Sequence, residues 1–248
     1  MALICGKMTI CNRMLPPLAF PGSVRIMSSP ALLFDLDGTL VDTAPDLLGA
    51  LNAVLVSEGR ATVDPQTLRH MVGHGARALI EQAMAATGER APPERLPALI
   101  DRFIAHYRTH IADGSRPFPG VAETLEQLRH QGARMAVLTN KPQVLTEPIL
   151  EALDLSHYFG VICGAGRYDC NKPDARVVEH VVRELGGAAG GTIMIGDSAV
   201  DVATARAAKI PVILLSYGYT PEPPQTLGAD VVIDEFCEIP ALVAELLS

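Results

Sequence analysis

From residue 31 to the end of the chain, short apolar runs rich in β-branched residues alternate with amphipathic stretches of helical period. Candidate strands fall at 31–34, 133–138, 161–163, 192–195, 212–215 and 231–233, and candidate helices at 121–131, 143–153, 175–185 and 199–208. Strands separated by helices cannot pair as hairpins, so the pattern predicts crossover units building a parallel sheet, an α/β fold of Rossmann-like kind. Pro173 and Asp174 sit where an early-turn proline and a first-turn acid start the third of these helices.

One region breaks the alternation. Between Asp46 and Arg116 there is no convincing strand, only helical pattern at 47–55, 68–72, 76–86 and 96–110, interrupted by Asp64-Pro65, Gly73-His74-Gly75, Gly88 and Pro92-Pro93. It ends in the turn-rich Arg116-Pro117-Phe118-Pro119-Gly120. The expected organisation is a helical cap, residues 46–117, inserted into a discontinuous α/β core of residues 30–45 and 118–248. Residues 1–29 have no period and carry Pro16-Pro17, Pro21-Gly22 and Ser28-Ser29-Pro30, which reads as a disordered leader with Met27 as an alternative start. Their apolar pieces are too broken for a signal peptide.

Composition narrows the function. With 48% hydrophobic and 19% charged residues, 248 residues can bury a sizeable core. The formal net charge of −8 repels phosphate backbones and anionic lipid, so nucleic acid and membrane are excluded as expected partners. No apolar run approaches the roughly 18 residues of a membrane span. Aromatics are 4% and Trp is absent, which leaves no base-stacking platform. The five cysteines, Cys5, Cys11, Cys163, Cys170 and Cys237, are odd in number and form no C-x-x-C pair, the usage of a reducing cytoplasm.

In an open parallel sheet, ligands bind beyond the carboxyl ends of the strands. Here the first strand runs into Asp35-Leu36-Asp37-Gly38-Thr39, the second into Thr139-Asn140-Lys141, and the fourth into Gly196-Asp197-Ser198 with Asp201 on the next helix, while Lys172-Pro173 follows the third. In extended backbone, residues two apart point the same way, so Asp35 and Asp37 face one crevice while Leu36 faces the core. Carboxylates so crowded need a cation or a proton, and a hard divalent ion with oxygen ligands, Mg²⁺, is the expected cofactor. A phosphate then completes the charge balance, its oxygens held by Thr139 and Lys172. One carboxylate can attack phosphorus to form an aspartyl-phosphate, and the second can protonate the leaving alcohol.

Taken in order, Asp35-x-Asp37-Gly38-Thr39, Thr139-Asn140, Lys172-Pro173 and Gly196-Asp197-Ser198-x-x-Asp201 resemble the motifs of the haloacid dehalogenase superfamily of aspartate-nucleophile phosphatases. The resemblance implies Asp35 as nucleophile, Asp37 as general acid/base, and Thr139, Asn140 and Lys172 as substrate-binding residues. It implies metal ligation by the Asp35 side chain, the Asp37 main-chain carbonyl and Asp197, with Asp201 supporting them. Dehalogenases lack the second acid, so Asp37 argues for phosphate over halide. The phrases Gly38-Thr39-Leu40-Val41-Asp42-Thr43, Thr139-Asn140-Lys141-Pro142 and Ser216-Tyr217-Gly218-Tyr219 are similar to the phosphoglycolate phosphatase subgroup. Phosphonoacetaldehyde hydrolases and sugar phosphate mutases use a cap lysine, and the insert has none between Asp46 and Arg116.

The resemblance therefore implies a cytoplasmic Mg²⁺-dependent phosphatase, a monomer or homodimer, acting on a small phosphorylated metabolite, foremost 2-phosphoglycolate. A sugar phosphate, nucleotide or pyrophosphate is the alternative substrate, and a catalytically silent binding module on the same fold is the alternative function. Relatives usually carry a Gly-Gly-Asp start where this chain reads Gly164-Ala165-Gly166-Arg167-Tyr168-Asp169-Cys170-Asn171, a local departure ahead of Lys172. In the cap, His74 between Gly73 and Gly75, with Arg77 nearby, occupies the glycine-bounded turn where the resemblance implies that the cap reaches toward substrate. Arg77 suits a substrate carboxylate through its bidentate fork, although an ordinary exposed helix arginine satisfies the same pattern.

Overall fold

The structure, a computed structural model, describes residues 29–188 and 190–247. The expected leader and the alternative start at Met27 lie outside the described residues, as do Cys5 and Cys11. Six parallel strands form the core sheet: β1 (Ala31–Phe34), β4 (Arg134–Pro142), β5 (Val161–Ala165), β6 (Thr192–Gly196), β7 (Val212–Leu215) and β8 (Val231–Ile233), in the order β5-β4-β1-β6-β7-β8. β1 is central, pairing in parallel with β4 through Ala31↔Arg134 to Phe34↔Val137 and with β6 through Ala31↔Thr192 to Phe34↔Ile195. All four of its residues are buried, as a strand covered on both faces requires.

Alternation along β1 distributes the core. Leu32 and Phe34 pack with Val121, Leu125 and Leu128 of α5 (Val121–His130), Ile149 and Leu150 of α6 (Gln143–Ala152) and Ile239 of α9 (Ile239–Leu246). Leu33 faces the opposite layer, with Val177, Val178 and Val181 of α7 (Ala175–Glu184) and Val202 and Ala205 of α8 (Ala199–Ala208). Because the order of strands reverses direction on either side of β1, the crevice beyond its carboxyl end is the switch point at which such folds bind ligands.

Between β1 and β4 the chain leaves the sheet and returns. It departs through β2 (Val41–Asp42) and comes back through β3 (Arg116–Pro117), which pair antiparallel as Val41↔Pro117 and Asp42↔Arg116. Between them lie α1 (Ala44–Ser57), α2 (Pro65–Arg69), α3 (Gly75–Ala86) and α4 (Leu96–Thr109). These helices share an apolar cluster of their own that includes Leu51, Leu55, Ile80, Leu99 and Phe103. α2 begins at Pro65, earlier than its period implies, because Asp64 caps it by accepting from the Gln66 and Thr67 amides. The seam read as plain turn is thus partly a two-residue ribbon, too short to carry any hydrophobic period.

Asp46, buried in the first turn of α1, locks this ribbon. It accepts hydrogen bonds from the Gly114 amide at 2.8 Å, the Ser115 amide at 2.8 Å and the Ser115 hydroxyl at 2.6 Å. Tyr219, from the segment after β7, reaches the same crossing, donating to Asp42 Oδ1 at 2.6 Å and accepting from the Ala44 amide at 3.0 Å. Asp46→Ala leaves buried donors unpaired and is expected to lower stability by about 2–3 kcal/mol in urea unfolding. A loss under about 0.5 kcal/mol would show that the crossing is not held by this carboxylate.

Candidate active site

Beyond Phe34 the backbone stays in the sheet for one more residue: the Asp35 amide donates to the Ile195 carbonyl at 2.9 Å. The chain then turns tightly, with the amides of Leu40 and Val41 both bonding the Leu36 carbonyl at 3.1 Å. Gly38 makes this turn in the left-handed region at φ +87°, and a Cβ there would lie 2.5 Å from Asp197 Oδ2. Gly218 approaches the same residue, and a Cβ there would lie 2.3 Å from Asp197 Oδ2. Glycine at both positions is what lets Asp197 stand beside Asp35.

Asp35 is buried, with its Oδ1 accepting from the Leu36 amide at 2.7 Å and meeting the Lys172 ammonium at 3.0 Å. Lys172 also donates to Asp201 Oδ1 at 2.6 Å. The other Asp201 oxygen serves the start of α8, accepting from the amides of Asp197 and Ser198 at 3.2 and 3.1 Å and the Ser198 hydroxyl at 2.7 Å. Asp201 thus combines helix capping with an ion pair to a lysine from a different loop. Asp197 accepts from the Thr39 hydroxyl at 2.8 Å and the Tyr219 amide at 2.8 Å. The local departure ahead of Lys172 does not keep its ammonium from Asp35.

Burial sets the electrostatics. It pushes the Asp35 carboxyl up to about 6, against the pull of Lys172 and with added repulsion from Asp201 and Asp37. Asp197 is held well above the usual carboxylate range by burial and by the charges of Asp201 and Asp35. Burial alone would lower Lys172, but Asp201 and Asp35 outweigh it and keep the ammonium charged. Asp35, Asp197 and Asp201, all buried, each bring an oxygen within 4.8 Å of the others. Hard oxygen donors, clustered and short of positive charge, fit a divalent cation.

Asp37 lines the same crevice as Asp35. Its Oδ1 accepts from the Thr43 hydroxyl at 2.7 Å and from the Lys141 ammonium at 3.0 Å. Lys141, which sequence reasoning left without a role, is buried and also donates to the Tyr107 hydroxyl of α4 at 2.8 Å. Thr139 is buried beside it and accepts from the Lys141 amide at 3.2 Å. Asn140 donates to the carbonyls of Gly73 and Lys172, both at 3.2 Å, tying the cap turn to the loop that carries Lys172.

A cavity of about 160 Å³ opens over this rim, lined by Asp35, Asp37, Asp197 and Ser198 on one side and by His70 and His74 on the other. The structure therefore brings together Asp35, Asp37, Thr139, Asn140, Lys172, Asp197 and Asp201 and sets His74 over them. It does not bring Arg77, which is exposed and paired with Glu81 at 3.0 Å one helical turn on, while Ala76 and Leu79 turn inward. His70 lines the cavity as well.

Residues 32–215 match the haloacid dehalogenase-like hydrolase family. The chain belongs to that family. The phosphoglycolate phosphatase of Caulobacter vibrioides is 46% identical over 222 residues, spanning 90% of this chain and 94% of the relative. That of Agrobacterium fabrum is 43% identical over 221 residues, spanning 89% and 95%. Among solved structures, a predicted phosphoglycolate phosphatase from Haemophilus somnus superimposes with a TM-score of 0.79 at 28% identity, over 86% of this chain and 97% of that one.

In this hydrolase the raised Asp35 carboxyl links stability to pH. Below about pH 4 it is protonated folded or unfolded, and between about 4 and about 6 only the folded chain keeps the proton. Its contribution is therefore present at low pH and lost as pH rises through about 6. Cation-free Asp35→Asn, compared with wild type by chemical denaturation, is expected to gain on the order of 2–3 kcal/mol between about pH 4 and pH 7.5. A difference that stays flat across that window would contradict the electrostatic description.

Proposed function

We propose that this hydrolase is a Mg²⁺-dependent phosphomonoesterase that works through an aspartyl-phosphate, with 2-phosphoglycolate as substrate. The observation that carries the reading is the buried Asp35 carboxylate, paired with Lys172 at 3.0 Å and grouped with Asp197 and Asp201 at the switch point of the sheet. The names of the relatives support the choice of ester, and the cavity of about 160 Å³ supports a small one.

Asp35 supplies the nucleophile: one carboxylate oxygen bonds to phosphorus as the ester oxygen leaves, giving the enzyme an acyl phosphate and splitting one slow hydrolysis into two displacements. Asp37 gives its proton to the departing alkoxide and then takes one from the water that attacks phosphorus. Lys172 and the Thr139 hydroxyl bind the oxygens on which charge accumulates in flight, fixed before reaction by burial and by Asp201. Asp35, Asp197 and the Asp37 main-chain carbonyl would hold the Mg²⁺, with Asp201 behind them. The cation supplies neutralising charge to carboxylates and phosphate alike. Asn140 ties the cap turn to the Lys172 loop, so closing the helical cap of residues 46–117 over substrate shields the phosphoryl group from bulk water. The reduced thiols of Cys163 and Cys170 support placing this chemistry in the cytoplasm.

A panel of phosphate esters assayed with and without Mg²⁺ tests the reading. Turnover is expected only with the cation, with kcat/KM highest for 2-phosphoglycolate, and Asp35→Asn is expected to lose at least about a thousandfold in kcat while folding normally. Preference for a bulky sugar phosphate would overturn the substrate, and undiminished turnover by Asp35→Asn would overturn the mechanism.

A further inference from the structure

A second, smaller cavity of about 30 Å³ adjoins the first, and Asp35 and Asp37 line both. Its polar wall includes Thr139, Asn140, Lys141 and Tyr107 beside those two carboxylates, and its apolar wall includes Ala76, Leu79 and Phe103. The space admits about two water-sized groups, the bulk of one carboxylate. Lys141 is 4% exposed, and its ammonium touches Asp37 Oδ1 at 3.0 Å and the Tyr107 hydroxyl at 2.8 Å. An ammonium carries three hydrogens, and these two acceptors account for two of them. Among the described residues no other acceptor of Lys141 Nζ lies within hydrogen-bond distance, and the ammonium sits 4.2 Å from the Tyr107 ring centroid, so a buried cation lining this cavity keeps one N–H without a hydrogen-bond acceptor.

We infer that Lys141, steadied by the Tyr107 hydroxyl, is the specificity-determining cation that receives the carboxylate at the far end of the substrate from the phosphoryl group. The inference rests on the phosphoglycolate reading above and names the residues that would distinguish that ester from uncharged ones. With the phosphoryl group at Asp35 and Lys172, a two-carbon acid reaches across Asp37 into the smaller cavity. There an anion completes the hydrogen bonding of Lys141 in surroundings from which water is largely excluded, where a charge-assisted bond is strongest. The apolar wall and small volume select against longer or branched groups. Arg77, the cation that sequence points to for this task, is turned to solvent and held by Glu81.

The test compares kcat/KM for 2-phosphoglycolate and for ethyl phosphate, the same ester with methyl in place of carboxylate. Wild type is expected to prefer phosphoglycolate, and Lys141→Met to reduce that preference about tenfold or more, chiefly through KM, while Lys141→Arg restores part of it. Tyr107→Phe, which removes a single oxygen, is expected to reduce the preference by a few-fold and carries the test if Lys141→Met does not fold. An equal loss on both esters would overturn the inference and assign Lys141 to positioning Asp37 alone. Wild type that turns over ethyl phosphate but not phosphoglycolate would overturn the substrate reading, and the anchor with it. Wild type that prefers phosphoglycolate with a ratio unchanged in the variants would overturn the anchor only.

Discussion

Carboxylates crowded out of water at the end of one strand are the constraint around which this protein is arranged. Asp35, Asp197 and Asp201 stand within a few ångströms of one another in a buried rim, and the Lys172 ammonium bridging Asp35 and Asp201 is the direct protein counter-charge. Such a cluster is costly without further positive charge. The raised Asp35 and Asp197 carboxyls express that cost, and a divalent cation held by these oxygens would relieve it. Structure elsewhere serves to hold the crowding in place: the parallel ladder on both sides of β1, glycines where side chains would collide with Asp197, and the helix start that fixes Asp201.

The cap contributes a different kind of control. Its two crossings are paired as a short ribbon, locked by Asp46 and reached by Tyr219, so the helical layer sits over the rim through defined hydrogen bonds. The Asn140 amide spans the boundary, bonding a cap carbonyl and a core carbonyl at once. Under the proposed function, chemistry at phosphorus falls to the sheet, and choice of leaving group falls to the surface where α3 and α4 face Lys141 of β4. Lys141 stands at that surface, beside the Asp37 carboxylate on one side and the Tyr107 phenol on the other.

Much of this was legible in the residues. β1, β7, β8 and α8 coincide with their periodic segments, and the polar residues after the strands do converge, because a parallel sheet forces strand ends to one edge. What sequence could not display were partnerships across long separations. Lys141 meets Asp37 across 104 positions and Lys172 meets Asp201 across 29, neither with any local signature. The β2–β3 ribbon is two residues long on each side and α9 spans eight residues, so neither carried a readable period. Arg77 had the right chemistry for an acid but the wrong face of its helix, a distinction set by the packing of Ala76 and Leu79.

The central claim is that the Asp35 carboxylate takes the phosphoryl group onto itself. Rapid acid quenching of a single turnover with Mg²⁺, followed by mass spectrometry of the peptides, addresses it directly. The account predicts one phosphoryl group, transient and confined to the peptide containing Asp35. A phosphoryl group trapped on any other residue would contradict it.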